Sequence, residues 1–224
     1  MTSVTLNHAQ KISSRFRRPV SYIPNGVDHE AKPDTEIARR VLEKNHLPVH
    51  DYLLFVAGRI IPLKGAHLLL KAFKQIEKNI HLVIVGNLSQ LPEYANSLKS
   101  LADSRTHFTP FLNSRSALLG LMKLSRLFVF PSTDEAMSMV LLEAASMGAP
   151  ILCSDIPANM AVLPEQALYF RSGDVDNLAD KLRWALEHPA EMARLGQEAQ
   201  SWVRTRFSWE LIVEQYDRLY HQSV

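Results

Sequence analysis

The sequence has one cysteine, no apolar run near the roughly 18 residues of a membrane span, and almost no excess of either charge. Each shortage closes a class of function. A lone thiol excludes a disulfide within the chain. Inside Ala149-Pro150-Ile151-Leu152-Cys153 that thiol reads as a small buried hydrophobe rather than a nucleophile. Lys+Arg 25 against Asp+Glu 23 leaves a net charge of +2, which gives no ground for nucleic-acid binding. The start, Met1-Thr2-Ser3-Val4, lacks a basic segment followed by an apolar one, so no secretory signal is read and a cytoplasmic location is expected. The nine histidines show no metal-ligand spacing such as His-x3-His, and no Gly-x-Gly-x-x-Gly follows a strand candidate. Neither a metal nor a dehydrogenase-type dinucleotide is therefore expected.

What is present is ordinary globular material: 224 residues, 46% hydrophobic and 21% charged, with a mean hydropathy of −0.09. Short β-branched or aromatic runs alternate with segments of helical period, the pattern of repeated β-α units around a parallel sheet. Seven strands are expected, at Val20–Ile23, Tyr52–Ala57, His81–Val85, His107–Thr109, Leu127–Phe130, Pro150–Cys153 and Leu168–Phe170. Helices are expected over Ala66–Lys78, Pro92–Ala102, Ser114–Leu124, Met139–Ser146 and Asn177–His188, with Asn113 and Asp176 as N-caps and Gly148 as a C-terminal stop. Pro189 breaks the chain, and two last helices, Ala190–Thr205 and Trp209–Tyr220, follow with no strand between them. The fold class is thus α/β, a Rossmann-like parallel sheet with helices on both faces.

In such sheets ligands sit beyond the carboxyl ends of the strands, so the loops there carry the chemistry. After the second strand candidate comes Gly58-Arg59-Ile60-Ile61-Pro62-Leu63-Lys64-Gly65, with Arg59 and Lys64 five positions apart before a helix. Two cations beside a helix N-terminus suit a phosphate clamp, and two solvated surface cations would read the same. The loop is not a Walker A motif. After Leu127–Phe130 comes Pro131-Ser132-Thr133-Asp134-Glu135-Ala136-Met137-Ser138, then the helix that contains Glu143, eight positions beyond Glu135. Glu143 lies between apolar neighbours and needs a partner, either a structural cation or a ligand hydroxyl. The N–H groups near Ser138, Met139 and Val140 open the helix toward an anion. Anion donors and a hydroxyl-accepting carboxylate within two turns suit a nucleotide sugar. Asp174-Val175-Asp176, before a helix, reads as capping rather than as metal ligation. Trp184, Trp202 and Trp209 read as core or interdomain contacts rather than sugar platforms.

These residues carry a resemblance. Glu135 and Glu143 stand as in the Glu-x7-Glu signature of the retaining group 1 glycosyltransferases of GT-B fold, usually written Glu-Gly-Phe-Gly-x-x-x-x-Glu-Ala. In the same order stand Ile23-Pro24-Asn25-Gly26-Val27-Asp28, Val56-Ala57-Gly58-Arg59 with Pro62-x-Lys64-Gly65, Leu82-Val83-Ile84-Val85-Gly86, Leu127-Phe128-Val129-Phe130-Pro131-Ser132 and Gly148-Ala149-Pro150-Ile151. The resemblance implies that Arg59 and Lys64 contact the donor diphosphate, that Glu143 accepts from the ribose hydroxyls and that Glu135 faces the donor sugar. It also implies main-chain contacts from Ser138, Met139 and Val140, with Phe108 to Phe111, and so His107, near the base. The two signature glycines are Ala136 and Ser138 here, which restricts positive φ and close approach to the sugar.

The family's enzymes have two Rossmann-like domains, and this chain resembles only the second. Residues 1–19 then correspond to a linker and the end of a missing N-terminal domain, 20–206 to the nucleotide-sugar-binding domain, and 207–224 to a helix crossing back onto the first. The expected function is a metal-independent, cofactor-free retaining transferase using a nucleoside diphosphate sugar, UDP first. Arg59, Lys64 and Glu135 would be its catalytic groups. The missing acceptor-binding domain would be its partner and would decide any peripheral membrane association. The rival expectation is a stand-alone nucleotide-sugar-binding module, or one subunit of a two-chain transferase, without turnover of its own.

Overall fold

Continuous apolar runs can be strands only where both faces of a sheet are covered, and the fold meets that condition. The computed structural model describes residues 1–221. In chain order these form β1 (Thr2–Ser3), α1 (Leu6–Phe16), β2 (Ser21–Tyr22), α2 (Thr35–Lys44), β3 (Tyr52–Arg59), a 3-10 turn (Pro62–Lys64) and α3 (Ala66–Phe73). There follow β4 (His81–Asn87), α4 (Pro92–Leu101), β5 (Thr106–Thr109), α5 (Arg115–Leu124), β6 (Leu127–Phe130) and α6 (Met139–Ser146). The chain ends with β7 (Ile151–Ser154), α7 (Pro157–Val162), β8 (Leu168–Phe170), α8 (Val175–Glu187), α9 (Pro189–Arg206) and α10 (Trp209–His221).

Strands β3 to β8 make one six-stranded sheet, in the order β5-β4-β3-β6-β7-β8, with every neighbouring pair parallel. Alternate residues serve opposite faces. Leu54, Val56, Val83, Val85, Phe128, Phe130 and Cys153 meet α2, α5 and α6 on one side. Leu53, Phe55, Leu82, Ile84, Val129 and Leu152 meet α3 and α8 on the other. Helix α9 lends Ala199 and Val203 to the first layer, Met192 and Leu195 to the second. The crossing into α10 is clamped where the Val27 N–H donates to the Phe207 carbonyl at 2.6 Å.

Several expectations are corrected. The strand expected at Val20–Ile23 shrinks to Ser21–Tyr22 and pairs with Thr2–Ser3 in a separate two-stranded sheet. Ile23 still donates to Ser3, but Pro24 has no N–H to continue the ladder. Helices α1, α2 and α7 had no counterpart in the sequence reading. Helix α2 turns Ala38, Val41 and Leu42 inward at helical spacing, and Asp34 caps it by accepting from Ile37 N at 2.9 Å, a signal the sequence reading passed over. Helix α3 stops at Phe73 instead of Lys78, because the Arg105 guanidinium lies 4.6 Å above the Phe73 ring and donates to the Ile76 and Lys78 carbonyls. The N-caps of α5 and α8 are Ser114 and Asp174, not Asn113 and Asp176; each accepts from the N–H three residues on. Asp174 thus has a capping role.

Candidate functional site

Reading across the sheet, chain order reverses between β3 and β6. The loops leaving these adjacent strands run in opposite directions and open a crevice at the carboxyl edge. They are the two loops singled out by charge, residues 58–65 and 131–138. The structure stitches them together. Thr133 donates through its N–H to the Leu63 carbonyl at 2.8 Å and through its hydroxyl at 3.3 Å. Gly65 closes the first loop with φ of 74°, and a Cβ there would lie 2.0 Å from the Pro131 carbonyl oxygen. Only glycine satisfies both the left-handed backbone and that approach.

The stitching sets Lys64 against Glu135, Nζ to Oε1 at 2.6 Å, with side chains 26% and 9% exposed. Arg59, at the exposed end of β3, has no side-chain partner among the described residues. Of the two cations read as one clamp, one is therefore paired with the loop carboxylate and the other is free. Ser138 is the N-cap of α6, its hydroxyl accepting from Leu141 N at 3.3 Å, and Met139 and Val140 form the open first turn. One turn further, Glu143 has the partner its apolar neighbours required: Arg115 Nε donates to its Oε1 at 2.8 Å. The carboxylate is 12% exposed and Arg115 49%.

Some contributors were missed by the sequence reading. Arg115 comes from the preceding β-α unit, and no local pattern ties it to Glu143. Below the β6 loop, Ser154 donates to the Ser132 carbonyl, and Asn159 donates to the Ser154 carbonyl at 3.1 Å and hydroxyl at 3.0 Å. This buried chain fixes the start of the loop that carries Glu135. The hydroxyls of Ser132 and Thr109, at the carboxyl ends of β6 and β5, are buried without a hydrogen-bond partner. His107, expected near the base, instead meets His81 across the β4–β5 pair, ring nitrogens 3.2 Å apart, and His81 begins β4 at the opposite edge of the sheet. Burial, then the neighbouring His81, holds the His107 pKa below its ordinary value. A cavity of about 810 Å³ opens between α1, the Thr133–Met137 segment and α7. Glu135 lines it, whereas Arg59, Lys64 and Glu143 do not. Among the described residues no three His, Cys, Asp or Glu side chains come together to hold a metal, and no helix is long and apolar enough to cross a membrane.

Strand order, layers and a crevice at the switch point define a doubly wound α/β domain of the kind found in GT-B glycosyltransferases. The chain belongs to the group 1 glycosyl transferases, whose family model matches residues 38–202. It is 27% identical over 207 residues to D-inositol 3-phosphate glycosyltransferase of Xylanimonas cellulosilytica, covering 85% of this chain and 48% of that one. It is also 27% identical over 230 residues to the lipopolysaccharide core biosynthesis glycosyltransferase LpsD of Rhizobium meliloti, covering 100% of this chain and 64% of that one. The chain therefore spans roughly half to two thirds of these relatives. Among solved structures, Anabaena HepE in complex with UDP-glucose superposes with a TM-score of 0.86 at 19% identity, over 99% of this chain and 63% of that one. A glycosyltransferase from Rickettsia africae does so with 0.87 at 18% identity, over 99% and 62%. At that identity the structural likeness speaks for the fold.

Proposed function

We propose that this chain is the donor-binding part of a retaining, metal-independent glycosyltransferase that draws its sugar from a nucleoside diphosphate, with UDP the first candidate. The observation that carries the reading is the meeting, at the switch point, of a free Arg59, a Lys64–Glu135 ion pair and the open first turn of α6. Arg59, Lys64 and the main chain of Ser138, Met139 and Val140 hold the diphosphate. Glu143 accepts from the ribose hydroxyls, and Glu135 faces the sugar. The HepE complexes with UDP-glucose and with UDP support this choice of donor.

As the bond from sugar to phosphate breaks, the diphosphate gains negative charge and the sugar becomes oxocarbenium-like. Arg59, Lys64 and the α6 N-terminus stabilise the first, each well-placed donor contributing ~3–4 kcal/mol in comparable sites. Lys64 is held by Glu135 before the donor arrives, so little reorganisation is needed to bring its charge to the phosphate. The Glu135 carboxylate favours positive character on the sugar. The test is calorimetric titration of the folded chain with UDP, GDP and ADP. Binding is expected, weakened at least ~tenfold by Glu143→Ala or Arg59→Ala, since each removes a charge-assisted hydrogen bond. No heat with any of the three at millimolar concentration overturns the reading.

A further inference from the structure

Partnering Glu143 uses only part of the Arg115 side chain. Arg115 opens α5, behind the cap Ser114, and reaches across to α6. A guanidinium that serves only to neutralise a carboxylate commonly meets it as a fork, two parallel N–H bonds to two oxygens. Here the contact is single, Nε to Oε1 at 2.8 Å. Both Nη groups of Arg115 are left without a partner among the described residues, and the side chain is half exposed. The Oε2 of Glu143 also has no protein partner and is not sealed from solvent. The pair therefore presents one free carboxylate oxygen beside several free donors, their relative positions fixed by the bond between them.

On the reading that Glu143 holds the donor ribose, Oε2 takes a ribose hydroxyl. The base and the diphosphate both leave that ring, and with the diphosphate assigned to Arg59, Lys64 and the α6 N-terminus the base is the group left to Arg115. Arg115 also follows the carboxyl end of β5 by six residues and stands at the same edge of the sheet. We propose that Arg115 reads the nucleobase, donating through its Nη groups to a ring carbonyl oxygen. A guanidinium offers donors only. Uracil, guanine and cytosine carry a carbonyl oxygen to receive them, whereas adenine has none and offers only ring nitrogens, two of which stand beside an amino group that repels a donor. The site therefore favours uridine, guanosine or cytidine diphosphate sugars over adenosine ones.

The experiment is titration of UDP, GDP and ADP into the wild-type chain, Arg115→Leu and Arg115→Lys. The wild type is expected to bind UDP or GDP roughly tenfold or more tighter than ADP, the discrimination typical of a well-formed arginine contact to a base. Arg115→Leu brings that ratio close to one. Arg115→Lys keeps part of the ratio and more of the overall affinity, because a cation with N–H donors remains beside Glu143. Uniform weakening of all three ligands by Arg115→Leu would show that Arg115 merely holds Glu143, and overturns the proposal while leaving the donor site standing. Equal binding of ADP by the wild type overturns it too. No binding of any nucleotide, or full binding after Glu143→Ala, defeats the donor reading itself and is distinct from either result.

Discussion

Cys153 lies fully buried in β7, where desolvation pushes its thiol well above the ordinary range even with the Tyr169 hydroxyl nearby. The thiolate is the reactive form, so the native chain should resist thiol reagents and be labelled only as fast as it opens. Labelling in rising denaturant should follow the unfolding curve, and prompt labelling of the native protein would contradict this. His107 makes the complementary case. Its native pKa is held down by burial, then by His81, while Asp103 pulls the other way. In the unfolded chain it titrates near 6.5. As pH falls through that value the unfolded state takes up a proton that the native state refuses, so the contribution is complete above it and lost below. The thermal midpoint should fall as pH drops below about 6.5, and His107→Asn should flatten that fall. At this scale the sequence was legible where a side chain's own neighbours set its needs. Cys153 reads as buried and Glu143 as needing a partner. Which cation answers Glu143 was not legible, because Arg115 is 28 positions away in an exposed first turn.

Among the elements, β3, β4, β6 and β7 were legible because each centres on an apolar run buried on both faces, and β5 and β8 because their short stretches are β-branched or aromatic. Helices α1 and α2 were passed over although each is amphipathic; α2 turns Ala38, Val41 and Leu42 inward at helical spacing behind the cap Asp34. The turn between β3 and α3 falls in between. Gly65 was recognisable as a glycine at a helix entrance, but its contact with the Pro131 carbonyl is tertiary. Gly65→Ala must hold a left-handed backbone and displace Pro131, which should cost ~1–3 kcal/mol or more. It should also loosen Lys64 from Glu135 and weaken UDP binding. Gly58→Ala is the control, because a Cβ there meets nothing within 4 Å. Denaturant midpoints and calorimetry on both variants check this. A Gly65→Ala chain of unchanged stability and affinity would show that the stitching between the loops does not shape the site.

Over the whole molecule, the strand order places every residue assigned to the donor along one open edge of one sheet. That edge can bind, but by itself it leaves the sugar's far side to water. Transfer needs an acceptor hydroxyl aligned with the anomeric carbon, and such alignment supplies ~7–11 kcal/mol of a barrier in well-oriented reactions. It also needs water kept from the oxocarbenium-like sugar. The relatives that this chain matches are longer, the chain covering 48% of one and 64% of another. The outer face of α10, with Trp209, Val213 and Tyr220, is left exposed. Binding and turnover should therefore separate in this chain. With a UDP-sugar and simple glycoside acceptors, release of UDP should stay at the level of a protein-free control while calorimetry on the same sample reports donor binding. Arg59→Ala should weaken binding at least ~tenfold without altering the release rate, there being no catalysed release to lose. Steady UDP release that depends on Arg59 would mean that the crevice, with the cavity beside Glu135, already supplies alignment and exclusion of water, and the assignment as a donor-binding part would fail.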